Sequence, residues 1–265
     1  MRYIAPAREA VDPVVLARPP LEDWAEHGAL LHGPWPSVEV LNARWPAQAR
    51  ERFVAQTPAL LADGQHYEQR IAASGAIATR ERNWHDLFNA LVWLRHPALK
   101  RALNAQQVAE IARMGPKLRS RPQCALTHFD EAGVIVLLRD ARLLALWDAH
   151  DWHGLFWRER AAWQDGRLRL VVFGHALLEH ALTPDKLLVG KALVVSGVGD
   201  EAAACARVAA AVGVGEVLRD PLELRPLPLS GIPRWHPDNV NEAFHRTAAC
   251  YRPRRPGRSY PAALG

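Results

Sequence analysis

The run NWHDLFNALVWLRHPALKRALN, residues 83–104, constrains this chain more than any other stretch. Leu87, Ala90, Leu91 and Leu94 recur at helical spacing, which predicts an amphipathic helix from Asn83 to about Arg95. His96-Pro97 ends it, because the residue before a proline is pushed out of the helical region. A second helix is expected from Ala98 to about Met114, stopping at Gly115-Pro116, so the two predict an αα-hairpin. The first turn of the leading helix crowds Asn83, His85, Asp86 and Asn89 beside an apolar face. A polar group left unpaired there costs about 1–3 kcal/mol. That turn is therefore either a cap or a site.

The remaining chain offers mixed signals around this hairpin. Residues 1–36 are rich in proline and read as an irregular arm packed on the body through Trp24 and Trp35. A short helix starts at the Ser37 cap and stops before Pro46, and residues 47–57 are expected to form another. Tyr67 to Thr79, split by Ala-Ser-Gly at 73–75, reads as a β-hairpin. So does Gln123 to Leu138, with Asp130-Glu131-Ala132-Gly133 as its turn. Helices are expected over 139–149 and 153–164, and a strand over 168–173 that turns at Gly174 into a helix over 175–182. A strand over 192–195, a helix over 200–212 and a proline-rich loop over 221–237 follow. Hairpins and helices without regular βαβ alternation predict a single α+β domain, with the main body at 37–250 and a basic tail at 251–265.

Composition excludes several classes of function. Of the 33 Lys and Arg residues only Lys100, Lys117, Lys186 and Lys191 are lysine. This arginine bias, with abundant alanine, fits GC-rich coding and weakens the nucleic-acid reading that a net charge of +5 invites. The one basic cluster is Arg252, Arg254, Arg255 and Arg258, so a nucleic-acid-associated protein is kept as an alternative. Ten tryptophans are spread along the chain, as core anchors would be. Cys124, Cys205 and Cys250 lack metal-ligand spacing, which suits a reducing cytoplasm. No apolar leader and no run of about 18 apolar residues is evident, so no membrane association is expected. P-loop, GxGxxG and GxSxG motifs are missing.

Four constellations carry candidate chemistry. In the first, Asp86 beside His85 can fix an imidazole tautomer for general-base work or metal ligation, with Asn89 on the same face and Asn104 across the hairpin. The competing reading is that Asn83 caps the helix and Asp86 favours its first turn. In the second, the Phe173-Gly174-His175 corner exposes His175, and Glu179 lies one turn on, while His180 points elsewhere. An internal ion pair is the plainer reading. The third is Asp130 and Glu131, turn acids that gain meaning only near His85 or His175, with His128 alternating with Asp130. The fourth, Gly231 to Asn239, reads equally as a pocket cover or a packing segment.

The run NWHDLFNALVWL, with THFDEAGVIV, LFWRER, VFGHALLEHAL and PLPLSGIPRWHPDN downstream, resembles the signature of a proteobacterial family, domain of unknown function 3025. The resemblance spans about Tyr67 to Asn239, and the chain differs from the pattern at His128 and Arg234. It implies no activity. The residues themselves favour a hydrolase-type enzyme whose site forms where the helix start at 83–89 meets the one at 174–179. His85 or His175 would be the base or metal ligand, and Asp86 and Glu179 the orienting or ligating carboxylates. Asn83, Asn89, Asn104 and Asp130 would bind a small-molecule or polymer substrate. A divalent metal is compatible with this set, and spacing alone does not establish one. The alternative from a different class is a non-catalytic binding or assembly protein whose polar turns only cap helices.

Overall fold

The computed structural model describes residues 3–115 and 118–265, so Pro116, half of the expected helix stop, lies outside the described residues. The fold is α+β, as expected, built on a four-stranded mixed sheet and a separate two-stranded one. The small sheet pairs β1 (Arg52–Ala55) in parallel with β2 (Ala76–Thr79). Between them lies α1 (Tyr67–Ser74). Two expectations fail here: residues 47–57 hold a strand rather than a helix, and 67–79 is helix then strand, not a hairpin. Asn42 explains the first, since its side chain both donates to and accepts from the main chain of Phe53, holding it extended. For the second, Gly75 is the left-handed C-cap of α1 at φ 74°, a role that glycine fills without strain.

The expected αα-hairpin forms as α2 (Trp84–Arg95) and α3 (Pro97–Met114). Leu87, Phe88, Leu91, Val92 and Trp93 are at most 3% exposed. Burial of such side chains stabilises the fold by about 1.5–3 kcal/mol each, which makes α2 the main apolar anchor. Trp24, Trp45, Trp84, Trp93, Trp147 and Trp152 are buried as well, in keeping with a core role.

The region 123–138 corrects the sequence reading again. It is α4 (Arg121–Ala132) running directly into β3 (Gly133–Leu138). Ser120 and Gln123 form a reciprocal capping box, which outweighs the alternation in CALTHF. Asp130 and Glu131 are thus in the last helical turn, not in a hairpin loop. Every residue of β3 is buried, as expected for a strand covered on both faces.

Next come α5 (Ala141–Asp148), β4 (Leu168–Val172), α6 (His175–Ala181), β5 (Val189–Ser196) and α7 (Glu201–Gly213). The segment expected as a helix over 153–164 is instead a π-turn, Gly154–Arg158, followed by a 3-10 turn, Arg160–Trp163. The Asp151 carboxylate holds Gly154 N at its entry, and Trp163 Nε1 donates back to Leu155 O across the break. The proline-rich stretch contains β6 (Arg225–Pro228), a strand rather than loop throughout. It is an edge strand, where the N–H groups that Pro226 and Pro228 lack are least needed. The large sheet runs β4-β3-β5-β6, with β3 and β5 parallel and both outer pairs antiparallel. Helix α7 packs on β3, β5 and α3, while α4, α2 and α6 meet beside the sheet.

The arm folds into short helical turns, Pro13–Leu16, Leu21–His27 and Gly28–Leu31. Trp35 packs at a tilt against Trp84, ring centroids 4.8 Å apart, and Trp84 Nε1 donates to Pro6 O, so the arm roofs the start of α2. In the tail, Leu264 bridges to Val195 of β5. No helix among the described residues is long and apolar enough to cross a membrane.

Candidate metal centre

Three helix ends converge because one glycine permits it. A side chain at position 174 would place its Cβ 2.5 Å from Ala132 Cα and from Gly133 N. The absence of a Cβ lets the strand-to-helix corner rest on the α4–β3 junction, where Phe173 N and Gly174 N both donate to Gly133 O. His175, the first residue of α6, therefore lies beside Asp130 and Glu131 at the end of α4. The packing of α6 on α2 brings in His85.

The two imidazoles meet edge to face, with Nε2 of His85 and Nε2 of His175 3.0 Å apart. His85 Nδ1 lies 3.1 Å from Glu179 Oε2. The Glu131 carboxylate oxygens are 3.9 Å from His85 Nε2 and 3.8 Å from His175 Nε2. One ligand atom from each of His85, Glu131 and His175 falls within 4.8 Å of the others. On the far side of His175, Nδ1 is buried without a hydrogen bond, 3.9 Å from Asp130 Oδ2. Asp130 itself accepts from Lys100 Nζ at 2.6 Å, and that ammonium also reaches Asn89 Oδ1 at 2.8 Å.

Charge follows burial and pairing. Burial drives the His175 pKa down to about 3, only partly opposed by Asp130, so the ring is neutral. Burial also works against protonation of His85, but its hydrogen bond to Glu179 and the nearby Glu131 outweigh it and raise the pKa. Glu131 is raised by burial, with His85 opposing. Partial burial alone would raise Asp130; the Lys100 ammonium overcomes that and keeps it an anion.

Of the residues expected at a site, the structure brings together His85, His175, Glu179 and Asp130, and sets Asn89 just behind them. Asp86 is not among them. It turns away to accept from the Arg80 main chain, Nε and guanidinium, and Glu179 takes the orienting place expected for it. Asn83 caps α2 through Asp86 N, as the plainer reading had it. Asn104 donates to the main chain and carboxylate of Glu68, and does not reach the polar turn. Asn89 donates to Tyr67 Oη. His180 packs edge-on against Tyr3, away from the pair, and His128 forms no ion pair or side-chain hydrogen bond among the described residues. Asn239, within the 231–239 segment, locks that loop by donating to Ser230 O and Ile232 O.

Two cavities flank His85 and Glu131. An outer cleft of about 1180 Å³ runs beneath the arm, between Arg8 and Trp35 on one side and Glu179 and Lys186 on the other. An inner cavity of about 360 Å³ is walled by Tyr67, Glu68, Lys100, Asn104 and Gln107, with His85, Glu131 and His175 also on its surface.

A family description, a protein of unknown function (DUF3025), matches residues 51–255, most of the chain. The chain belongs to the DUF3025 family. No curated protein and no solved structure matched it. Every member of the His85, Glu131, His175, Glu179 and Asp130 group lies inside the DUF3025 region. The site residues that sequence reasoning passed over lie there too: Lys100, Glu68 and Tyr67, and Glu131 in the weight it deserves. Lys100 had a signal, being one of four lysines in an arginine-rich chain and on a helix next to Asn104. Glu68 and Tyr67 had none once their segment was read as a strand.

Proposed function

We propose that this chain is a metal-dependent hydrolase whose ion is held by His85 Nε2, His175 Nε2 and a Glu131 oxygen. The observation that carries the reading is the 3.0 Å approach of two Nε2 atoms whose opposite nitrogens each face a carboxylate. Glu179 draws the proton of His85 to Nδ1, and Asp130 favours the same tautomer for His175. Both Nε2 lone pairs then point at one another, which is repulsive until a cation takes the space between them. Nitrogen ligands of a tetrahedral zinc ion lie about 3.3 Å apart, close to the distance here. Carboxylates behind both rings match the outer support that metal-bound histidines need.

Two neutral imidazoles and one carboxylate leave at least one coordination position for water or substrate, the arrangement of a catalytic rather than a structural site. A divalent ion there would lower the pKa of its water to about 7 and polarise a carbonyl or phosphoryl oxygen. The outer cleft, open to His85 and Glu131, would admit the substrate. Cys124, Cys205 and Cys250 are free thiols, in keeping with a reducing cytoplasm as the working compartment.

The test is a calorimetric titration of chelator-stripped protein with Zn²⁺ and Mn²⁺, paired with hydrolysis of p-nitrophenyl esters and phosphates. We expect one ion per chain, affinity at least tenfold weaker in His85→Ala, His175→Ala and Glu131→Gln, and hydrolysis that chelator removes and metal restores. Absence of stoichiometric binding, or binding indifferent to all three substitutions, overturns the metal centre. Tight binding with no hydrolysis of any substrate would instead favour a non-catalytic binding protein.

A further inference from the structure

We propose that the inner cavity is a subsite for a protonated amine, with the ammonium of the substrate seated against Glu68, Asn104 and Gln107. This deepens the hydrolase reading and rests on it for calling the ligand a substrate.

Three side chains of the cavity wall, Glu68, Asn104 and Gln107, keep acceptor oxygens unpaired among the described residues. Glu68 Oε2 accepts from Asn104 Nδ2 at 2.6 Å, and no ion pair is made by Glu68 among the described residues. The nearest cation of its surroundings, Lys100, is committed to Asp130 and Asn89. Because Asn104 Nδ2 is held by two oxygens of Glu68, its Oδ1 must face elsewhere, and it has no partner among the described residues. Gln107 repeats the pattern: its Nε2 donates to Gln123 O and Thr127 Oγ1, leaving Oε1 without a partner among the described residues. Asn104 is 7% exposed and Gln107 is 9% exposed, so both are enclosed side chains that line this cavity. These oxygens open onto the cavity, where a ligand N–H can be accepted without displacing a protein bond.

The charge balance points to a cation. Arg80 is taken by Asp86 and Lys100 by Asp130. Of the carboxylates on the cavity wall, Glu131 faces the two histidines, and Glu68 forms no ion pair among the described residues. Arg119 lies at the exposed mouth. Desolvation raises the Glu68 pKa to about 6, with Asn104 and Lys100 only partly opposing it. A bound ammonium supplies an ion-pair partner, and its three N–H groups match Glu68, Asn104 Oδ1 and Gln107 Oε1. The volume of about 360 Å³ suits a small amine rather than a polymer chain. The bond to be cleaved would lie at the His85–His175 end of the same cavity.

The probes are n-butylammonium, butyrate and 1-butanol, titrated at pH 7.5 into both zinc-loaded and chelator-stripped protein. We expect butylammonium to bind at least tenfold tighter than either of the others in both forms, and Glu68→Gln to weaken it by about tenfold or more. Gln107→Leu should weaken it by a smaller factor. No binding of the ammonium, equal or tighter binding of butyrate, or unchanged affinity in a folded Glu68→Gln variant would each overturn the proposal. If Glu68→Gln does not fold, the wild-type preference among the three probes decides. The stripped form keeps the two readings separable: ammonium preference without zinc binding sinks the metal centre alone, and zinc binding without ammonium preference sinks the subsite alone.

Discussion

Replacing Gly174 by alanine tests how the candidate site is assembled. The new methyl would lie 2.5 Å from Ala132 Cα and from Gly133 N, whereas ordinary contact begins near 3.4 Å. Both neighbours are main chain, so no side chain can swing aside. The corner must withdraw from the end of α4 by roughly 1 Å, and overpacking of this kind costs about 1–3 kcal/mol. For a protein of this size that is a fall in Tm of roughly 2–10 °C. The same displacement carries His175 away from Glu131 and His85, and loss of ligand geometry costs about 10- to 100-fold in metal affinity. Thermal unfolding followed by circular dichroism and a zinc titration read the two effects separately. Gly199→Ala is the control, because a methyl there meets nothing within 4 Å. A Gly174→Ala protein with wild-type Tm and wild-type zinc affinity would refute the reasoning.

Other substitutions separate what is structural from what belongs to the site. Lys100→Met leaves the partly buried Asp130 without its cation, and losing this charged hydrogen bond should destabilise the fold by about 1–3 kcal/mol, as measured by urea unfolding. Asp86→Asn should cost about 1–3 kcal/mol through its lost bonds to Arg80 while leaving zinc affinity unchanged, since Asp86 faces away from the histidines. Partial burial chiefly lowers the His96 pKa to about 4, so the ring takes up a proton near neutral pH only on unfolding. A lowered histidine pKa contributes stability above about pH 6.5 that is lost as pH falls toward 4. Wild type should therefore lose roughly 2 kcal/mol more than His96→Gln between pH 7 and pH 5, and identical pH profiles would contradict this.

The sequence made the αα-hairpin and the Gly174 corner legible because their signals are local. Apolar spacing, His96-Pro97 and a strand running into Gly-His need no knowledge of distant residues. The segments 67–79 and 123–138 were misread for a physical reason as well. Each holds a short helix abutting a strand, with the glycine that ends one element standing where a hairpin turn would have it. The signals that settle them were present but weaker: His66 caps α1, and Ser120 with Gln123 boxes α4. Misplacing α4 demoted Asp130 and Glu131 to solvated turn acids. On a helix they are successive residues about 100° apart, so Asp130 meets Lys100 while Glu131 meets both imidazoles. The pairing of His85 with Glu179 rather than Asp86 could not be read from spacing, because it depends on α6 packing across α2.

The most direct test of the central claim is the anomalous difference map of a crystal grown with zinc, recorded at the zinc absorption edge. The account predicts one strong peak between His85 Nε2 and His175 Nε2, about 2.0–2.1 Å from each nitrogen, with a Glu131 oxygen as third ligand. A map with no peak there, the two rings still 3.0 Å apart and sharing a proton, would contradict it.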